Sequence, residues 1–238
     1  PINGVLWTLG VEMQFYLLFP LLGWCYKKKP TLTWIGMTAI AFWWRWRVAS
    51  LADNSLYINQ LPAFLDVYAI GFFAASLYAS LQKKMGKEGA DNKTKLFFTV
   101  VFILCVCLII PLLKTQAGQN GYENIRLGQL NSRFPFAVLL ACAMIASAFS
   151  LPPLRFLLGN RLMTFLSAIS LQFYIWHQWL AVHLKNWDFI PHENATPWMA
   201  GEYPWQLKYT LCCFLAAILL AALITYLYEK PLTRKLRK

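Results

Sequence analysis

The 238-residue sequence is 58% hydrophobic and only 13% charged, whereas a soluble domain carries about a quarter charged residues. This composition excludes an ordinary water-soluble domain, because the surplus apolar surface needs a solvent other than water. The formal net charge of +12 does not indicate nucleic-acid binding either, since Lys and Arg lie in clusters between apolar runs and not along a basic face.

Seven apolar segments are long enough to cross a bilayer as helices, because a helical span needs about 20 mostly apolar residues. They cover residues 5–26, 33–50, 61–82, 96–113, 134–151, 163–184 and 207–228. The sequence therefore predicts an all-α fold. We expect a polytopic bundle of about seven transmembrane helices that forms a single integral-membrane domain over residues 1–238.

The distribution of Lys and Arg predicts the orientation of the chain, since cytoplasmic loops accumulate positive charge. With seven spans, fifteen of the 22 Lys and Arg residues fall on one side and seven on the other. The chain is thus expected to begin outside and to end in the cytoplasm. Two long outer loops are predicted at residues 114–132 and 185–206, and Pro231 is expected to stop the last helix.

Three ionisable residues interrupt the predicted spans, and they are functional candidates because a charge is costly in hydrocarbon. They are Glu12, Asp66 and His177. A rise of about 1.5 Å per residue places all three roughly 8 to 10 Å below the outer surface, as one shared polar cavity requires. The alternative is that each is paired and only joins helices. Arg45 and Arg47, which stand among three Trp residues, are interpreted as an interfacial anchor.

Carboxylate and imidazole groups of this kind can accept or relay a proton, and aromatic side chains near them can pack on sugar faces. The aromatic candidates are Trp7, Tyr16 and Trp176, for which plain helix packing is the alternative. No metal site is predicted, because the six cysteines fall in apolar stretches without a CxxC pair or a His at ligand spacing.

Three separated segments resemble the acyltransferase-3 family, multi-spanning enzymes that acylate surface carbohydrates. Residues 6–22, LWTLGVEMQFYLLFPLL, resemble its W-S-L-x-x-E-x-x-F-Y-L-L-x-P-L-L segment. Residues 169–178, ISLQFYIWHQ, resemble its I-S-Y-x-x-Y-L-W-H segment, and residues 228–232, YEKPL, resemble the E-x-P-x motif that closes its last helix. The order and spacing of the three also agree, so the chain is similar to this family over nearly its whole length.

The resemblance implies that acetyl-CoA, or a related acyl-CoA, donates its acyl group to a hydroxyl of a cell-surface polysaccharide or other glycan. By matching positions it assigns Glu12 and Trp7 to the acceptor side of the site, with His177 in support. Together with the residues above, this predicts catalytic roles for Glu12 and His177 and substrate binding by Trp7, Tyr16, Asp66 and Trp176. The expected partners are the glycan acceptor and the lipid bilayer, with no nucleic acid and no metal. The expected location is the plasma or inner membrane.

Some features depart from the family pattern. Thr8 stands where the family has Ser, and Leu171 stands where it has an aromatic residue. The family also carries a basic residue followed eleven positions later by a His, its proposed base, on its first helices. No part of this sequence matches that segment, so we expect about three of the ten core helices to be missing and the chain alone to be inactive.

A transporter or a flippase of lipid-linked sugars would have a similar composition and topology. Such proteins are typically built from inverted repeats or from broken helices that face one another, and neither pattern is present. A scaffold protein would leave the three motif matches as coincidence. An acyltransferase is therefore the preferred interpretation, while the acceptor and the oligomeric state do not follow from the sequence.

Overall fold

A computed structural model gives the fold and describes residues 6–51, 57–85, 91–119, 122–199 and 201–236, with the backbone alone for residues 122–127. All regular secondary structure in these ranges is helical, which confirms the predicted all-α fold. The helices are α1 Trp7–Lys28, α2 Pro30–Ala49, α3 Leu65–Met85, α4 Asn92–Ala117, α5 Tyr122–Phe149, α6 Pro152–Gly159, α7 Arg161–Asn186, α8 Tyr203–Leu223 and α9 Lys230–Leu236. A 3-10 turn, Leu61–Phe64, leads into α3, and a π-helical segment, Ile224–Glu229, joins α8 to α9.

Four described stretches are long and apolar enough to cross a membrane, judged by length and composition. They are Leu61–Met85, Asn92–Ala117, Gly128–Phe149 and Tyr203–Leu236, with mean hydropathies of 1.5, 3.1, 1.7 and 2.5 in their most apolar windows. Only 6% of that window in α4 is buried within the protein, so its apolar surface needs lipid. The chain is therefore a membrane protein.

The prediction of seven spans exceeds what the described helices support by this criterion, which is four. The other three predicted segments do form helices of 22, 20 and 26 residues, α1, α2 and α7. Their polar residues lower the mean hydropathy, as Glu12 does in α1 and Arg45 and Arg47 do in α2. Helix length alone thus gives a higher number of membrane spans than length and mean hydropathy together.

The described residues fall into two compact units. The first lies within Thr8–Leu158, and the second consists of Leu6, Trp7 and the described residues from 159 to 236. In the first unit α4 packs on α5, and α3 packs on both α2 and α5. Its largest buried apolar cluster joins α1, α2 and α3 through Val11, Phe15, Met37, Ala41, Leu61, Leu65 and Ala69. In the second unit α7 packs on α8.

Side-chain caps fix where two of the long helices begin. The Asp91 carboxylate accepts a hydrogen bond from the Thr94 N–H at 3.2 Å, and α4 therefore starts before its apolar segment. Hydrogen bonds from Thr94 also hold the pKa of Asp91 below its usual value. The Asn160 side chain caps α7 in the same way, since its oxygen accepts from the Met163 N–H at 2.9 Å.

The predicted outer loop at residues 114–132 is wrong, because most of it is helical. α4 continues to Ala117 and α5 already begins at Tyr122. Polar side chains favour this extension by bonding to one another: Gln116 donates to the Ser132 hydroxyl, which in turn donates to the Gly128 carbonyl at 2.6 Å. The other predicted loop is confirmed between α7 and α8, although it is shorter than residues 185–206.

Pro231 does not stop the last helix, contrary to the prediction. α8 passes through the π-helical segment into α9, which ends at Leu236. Pro231 is the second residue of α9 and closely follows the π-helical segment, which ends at Glu229. The wider π turn directly before it supplies the change of hydrogen-bond pattern that a proline requires.

Candidate functional site

Glu12 lies on α1 within a small polar patch. Val11 and Phe15 face the core, whereas Glu12 and Tyr16, one turn apart, are exposed. The Phe15 ring stacks on the Tyr68 ring of α3 at 3.6 Å and 8°. This places the Tyr68 phenol within electrostatic range of Glu12 and Tyr16. We name these three residues, one carboxylate and two phenols, the Glu12 patch.

The exposure of Glu12 is informative because hydrocarbon is a poor surrounding for a carboxylate. A charged group in an otherwise apolar helix normally faces a cavity, water or a partner. Hydroxyl groups are suitable ligands for such a carboxylate, since it accepts hydrogen bonds and can take up a proton. The geometry thus makes the Glu12 patch a candidate site for binding a hydroxyl compound.

Trp7 begins α1 and is 42% exposed. Glu12 lies five positions after Trp7, which corresponds to a rotation of about 140° around the helix axis. Trp7 and Glu12 therefore do not lie on one line along α1. A substrate-binding role for Trp7 stays a prediction.

Asp66 is part of a buried ion pair. It is 0% exposed, and its Oδ1 accepts hydrogen bonds from the Arg45 guanidinium and from the Val67 N–H at 2.9 Å. Arg45, which is 7% exposed, also donates through Nε and Nη2 to the Ala63 carbonyl at 3.0 and 2.8 Å. The pair ties α2 to the start of α3, so Asp66 has the pairing role that the alternative foresaw. Substrate binding by Asp66 stays a prediction.

The interpretation of Arg45 as an interfacial anchor is wrong, because its side chain is buried. Arg47 is exposed, and for it the same interpretation stays a prediction. Arg45 points into the protein because a carboxylate and a carbonyl of the same unit accept its hydrogen bonds. A second arginine, Arg133 of α5, is also turned inward. It donates to the Ile58 carbonyl at 2.7 Å and to the Asn59 Oδ1 at 3.0 Å. The sequence analysis did not single out Arg133.

The Nδ1 atom of His177 on α7 faces two backbone carbonyls. It lies 2.7 Å from the Tyr174 carbonyl and 3.2 Å from the Phe173 carbonyl. Carbonyl oxygens only accept, so Nδ1 carries the proton and Nε2 of the neutral ring is left as an acceptor. The ring also lies nearly parallel to that of Phe173, at 8°. His177 is therefore oriented as a base through Nε2.

Trp176 belongs to a hydrogen-bonded chain that joins two of the sequence motifs. Its Nε1 donates to the Gln172 Oε1 at 3.3 Å, and the Gln172 Nε2 donates to the Glu229 Oε2 at 3.1 Å. Gln172 and Trp176 stand in the motif on α7, while Glu229 opens the motif at the end of the π-helical segment. Sequence reasoning missed Gln172, although an amide in an apolar helix is a visible signal. Substrate binding by Trp176 stays a prediction.

Glu202 braces the loop between α7 and α8. Its carboxylate accepts from the Glu193 N–H at 3.1 Å, from the Asn194 N–H at 3.2 Å and from the Asn194 side chain at 3.1 Å. Desolvation acts to raise the pKa of Glu202, but these hydrogen bonds outweigh it and lower that pKa below its usual value. The loop beside α8 is thus held in place by an ionised side chain.

The predicted site residues fall into both units. Glu12, Tyr16 and Asp66 lie in the first, with Trp176 and His177 in the second. Within the first unit Glu12 and Tyr16 lie together, whereas Asp66 is engaged with Arg45. A single cavity that contains Glu12, Asp66 and His177 stays a prediction.

The comparisons with known proteins give one match. A family model of the acyltransferase-3 type, described as an acyltransferase domain, matches residues 1–226. No curated protein and no solved structure matches the chain.

Proposed function

Because the chain belongs to the acyltransferase-3 family, we propose that it is a membrane-embedded O-acyltransferase. The proposed reaction moves an acyl group, in the first instance acetyl, from acyl-CoA to a hydroxyl of a cell-surface polysaccharide or other glycan. The family match over residues 1–226 is the observation that carries this proposal. The exposed carboxylate of Glu12 and the oriented imidazole of His177 support it.

Acyl transfer to a hydroxyl requires a proton acceptor for the hydroxyl and hydrogen-bond donors that stabilise the oxyanion formed at the reacting carbonyl. The acceptor oxygen attacks the thioester carbon, the C–S bond breaks, and coenzyme A leaves with the proton as its thiol. His177 Nε2, to which no described residue bonds, is proposed to accept or relay the hydroxyl proton in support of the family's base His, which no segment of this sequence matches. In the Glu12 patch, the carboxylate accepts a hydrogen bond from a sugar hydroxyl and the two phenols can donate to others. Trp7 and Trp176 are proposed to pack against the sugar.

We place the protein in the plasma or inner membrane, with its C-terminus in the cytoplasm. The Lys cluster at residues 27–29 and the basic residues at 230–238 support this orientation, because cytoplasmic ends of spans accumulate positive charge. An acyl-CoA donor is then available on the cytoplasmic side. The glycan acceptor is proposed to be on the other side, where α1 begins.

The test is acyl transfer by membranes that contain the protein expressed from its complete gene. Release of the coenzyme A thiol and incorporation of labelled acetyl into glycan are measured together. We expect Glu12→Gln to lower kcat/KM by about 10²- to 10⁴-fold, since it removes a charge that takes part in proton transfer or hydroxyl binding. His177→Gln, which cannot accept a proton, should lower kcat to a similar degree.

Glu193→Gln is the matched control, because it makes the same chemical change at an exposed loop residue. Full activity of Glu12→Gln at wild-type abundance would remove Glu12 from the site. If the wild-type protein folds but consumes no acyl-CoA with any glycan, the transporter or flippase interpretation takes precedence.

A further inference from the structure

A cavity of about 430 Å³ lies between α2 and α5, at the ends predicted to face outward. Its walls include the rings of Phe42, Trp46 and Phe134, and Arg45 and Asn131 contribute polar groups. Phe42 and Trp46 are 49% and 69% exposed, so part of each side chain is accessible to a ligand. The volume is in the range of small-molecule sites.

Arg45 has hydrogen-bond donors on Nη1 for which no described residue is an acceptor. Its Nε and Nη2 are engaged with the Ala63 carbonyl, and Nη2 also with Asp66. No described residue accepts from Nη1, which carries two N–H groups. Because the Arg45 side chain is 91% buried and lines the cavity, Nη1 is a pre-positioned pair of donors.

The charges around the cavity do not balance within the described part of the first unit. Asp66 faces Arg45, whereas Arg133 has neutral partners, the Ile58 carbonyl and the Asn59 amide oxygen. The Arg133 guanidinium also lies 4.0 Å above the Phe64 ring. Two cations thus share one carboxylate in surroundings of low dielectric. An anion that reaches Nη1 would offset the excess positive charge.

We propose that this cavity binds an acidic sugar, with its carboxylate on Arg45 Nη1 and its ring between the aromatic walls. This rests on the proposed function, because the sugar is taken to be a residue of the glycan acceptor. A carboxylate oxygen accepts a charge-assisted hydrogen bond from Nη1, and aromatic rings suit the apolar faces of a pyranose. The Asn131 amide supplies a donor and an acceptor for its hydroxyls.

The experiment measures binding of D-glucuronate and of glucuronamide, which differ in charge but hardly in shape. The protein is held in nanodiscs of phosphatidylcholine, without acyl donor, and titrated with each sugar. We expect glucuronate to bind at least tenfold more tightly and this preference to shrink at high salt. Equal binding of the two sugars would overturn the proposal.

Asn131→Asp tests the location without disturbing the buried pair, since Asn131 is exposed and places the new charge at the cavity wall. Gln129→Glu is its matched control, an exposed position on the same helix that does not line the cavity. Asn131→Asp should weaken glucuronate binding at least tenfold, and Gln129→Glu less than twofold. Equal effects of the two changes would contradict the assignment.

A lipid phosphate has the same anionic chemistry, and a second arm distinguishes it. If phosphatidylglycerol co-purifies in an amount that falls with Asn131→Asp, while the two sugars bind alike, the cavity is a lipid site and the proposal fails. Because binding is measured without acyl donor, the outcome is separate from transfer. Selective glucuronate binding, combined with no acyl transfer by the protein expressed from its complete gene, would support the acidic-sugar site and refute the proposed function.

Discussion

Removing the Asp66 carboxylate should destabilise the first unit strongly. Asp66→Ala leaves Arg45 buried beside the Ala63 carbonyl without its counter-charge. The variant loses the charge-assisted bond from Arg45, about 1.5–3 kcal/mol, and the bond from the Val67 N–H, about 1 kcal/mol. The sum, roughly 2.5–4 kcal/mol, overlaps the range of about 3–5 kcal/mol expected when one partner of a buried pair is removed.

The double change Arg45→Met with Asp66→Leu should be much milder than Asp66→Ala. Both charges are then gone, and apolar side chains fill the space. A penalty of about 1 kcal/mol remains, because the Ala63 carbonyl loses the bonds that it accepts from Arg45. The unfolding free energy of the double variant should thus lie within about 2 kcal/mol of the wild type.

The assay is reversible unfolding in mixed micelles of mild detergent and dodecyl sulfate, followed by circular dichroism. A double-mutant cycle over Arg45 and Asp66 should give a coupling free energy of about 2–3 kcal/mol. Asp66→Asn serves as an intermediate case, because it keeps the Oδ1 acceptor and loses only the charge. The reasoning would be refuted by costs that add without coupling, or by Asp66→Ala costing under about 1 kcal/mol.

Two further predictions concern other polar contacts. Above about pH 4, the ordinary carboxylate pKa, ionised Asp91 should protect the Thr94 N–H from hydrogen exchange. This protection should be lost as the pH falls through the lowered pKa that Asp91 has in the folded state. The Met163 N–H of α7 should show no such change, since its cap is an amide that does not titrate. Gln172→Ala should destabilise the second unit by about 1.5–3 kcal/mol in the same mixed micelles, because Glu229 loses a hydrogen bond to a charged group.

Each of these two predictions has a definite contrary outcome. Equal loss of protection at Thr94 and Met163 in acid would show that the Asp91 cap contributes nothing specific. Ser170→Ala is the control for Gln172→Ala, because the Ser170 hydroxyl donates within its own helix to the Ser167 carbonyl and is exposed. Similar destabilisation by the two changes would rule out a special role of the contact with Glu229.

The bodies of the long helices could be predicted from hydropathy, whereas several of their ends could not. Helix ends depend on single contacts, such as the cap at Asp91. The region before Phe134 has a polar composition typical of a loop, yet it is helical because α4 and α5 pack closely and satisfy its side chains. The short helix α6, of 8 residues, and the π-helical segment, of 6 residues, are shorter than the window over which hydrophobic periodicity is read from sequence. Local sequence therefore predicted the bodies of the helices better than their ends and connections.

For the candidate site, the sequence indicated which groups are unusual but not what they contact. Asp66 was recognised as a charge inside a span. Its partner Arg45 lies 21 positions earlier, and the Trp residues beside Arg45 favoured an interfacial position. Tyr68 likewise joins Glu12 only because α3 packs against α1. Such pairings are set by tertiary packing, which a single sequence does not specify.

The π-helical segment determines the direction in which the side chains after it point around the helix axis. A π turn holds one residue more than an α turn, so the chain beyond it is rotated by about 100° relative to an uninterrupted α-helix. Glu229 ends this segment and meets Gln172 of α7. Deleting one residue from Ile224–Glu229 would restore a regular α-helix and turn the Glu229 carboxylate a quarter of a circle away from that amide. The extra residue thus keeps the Glu229 carboxylate directed at the Gln172 amide, so that the two motifs stay in contact.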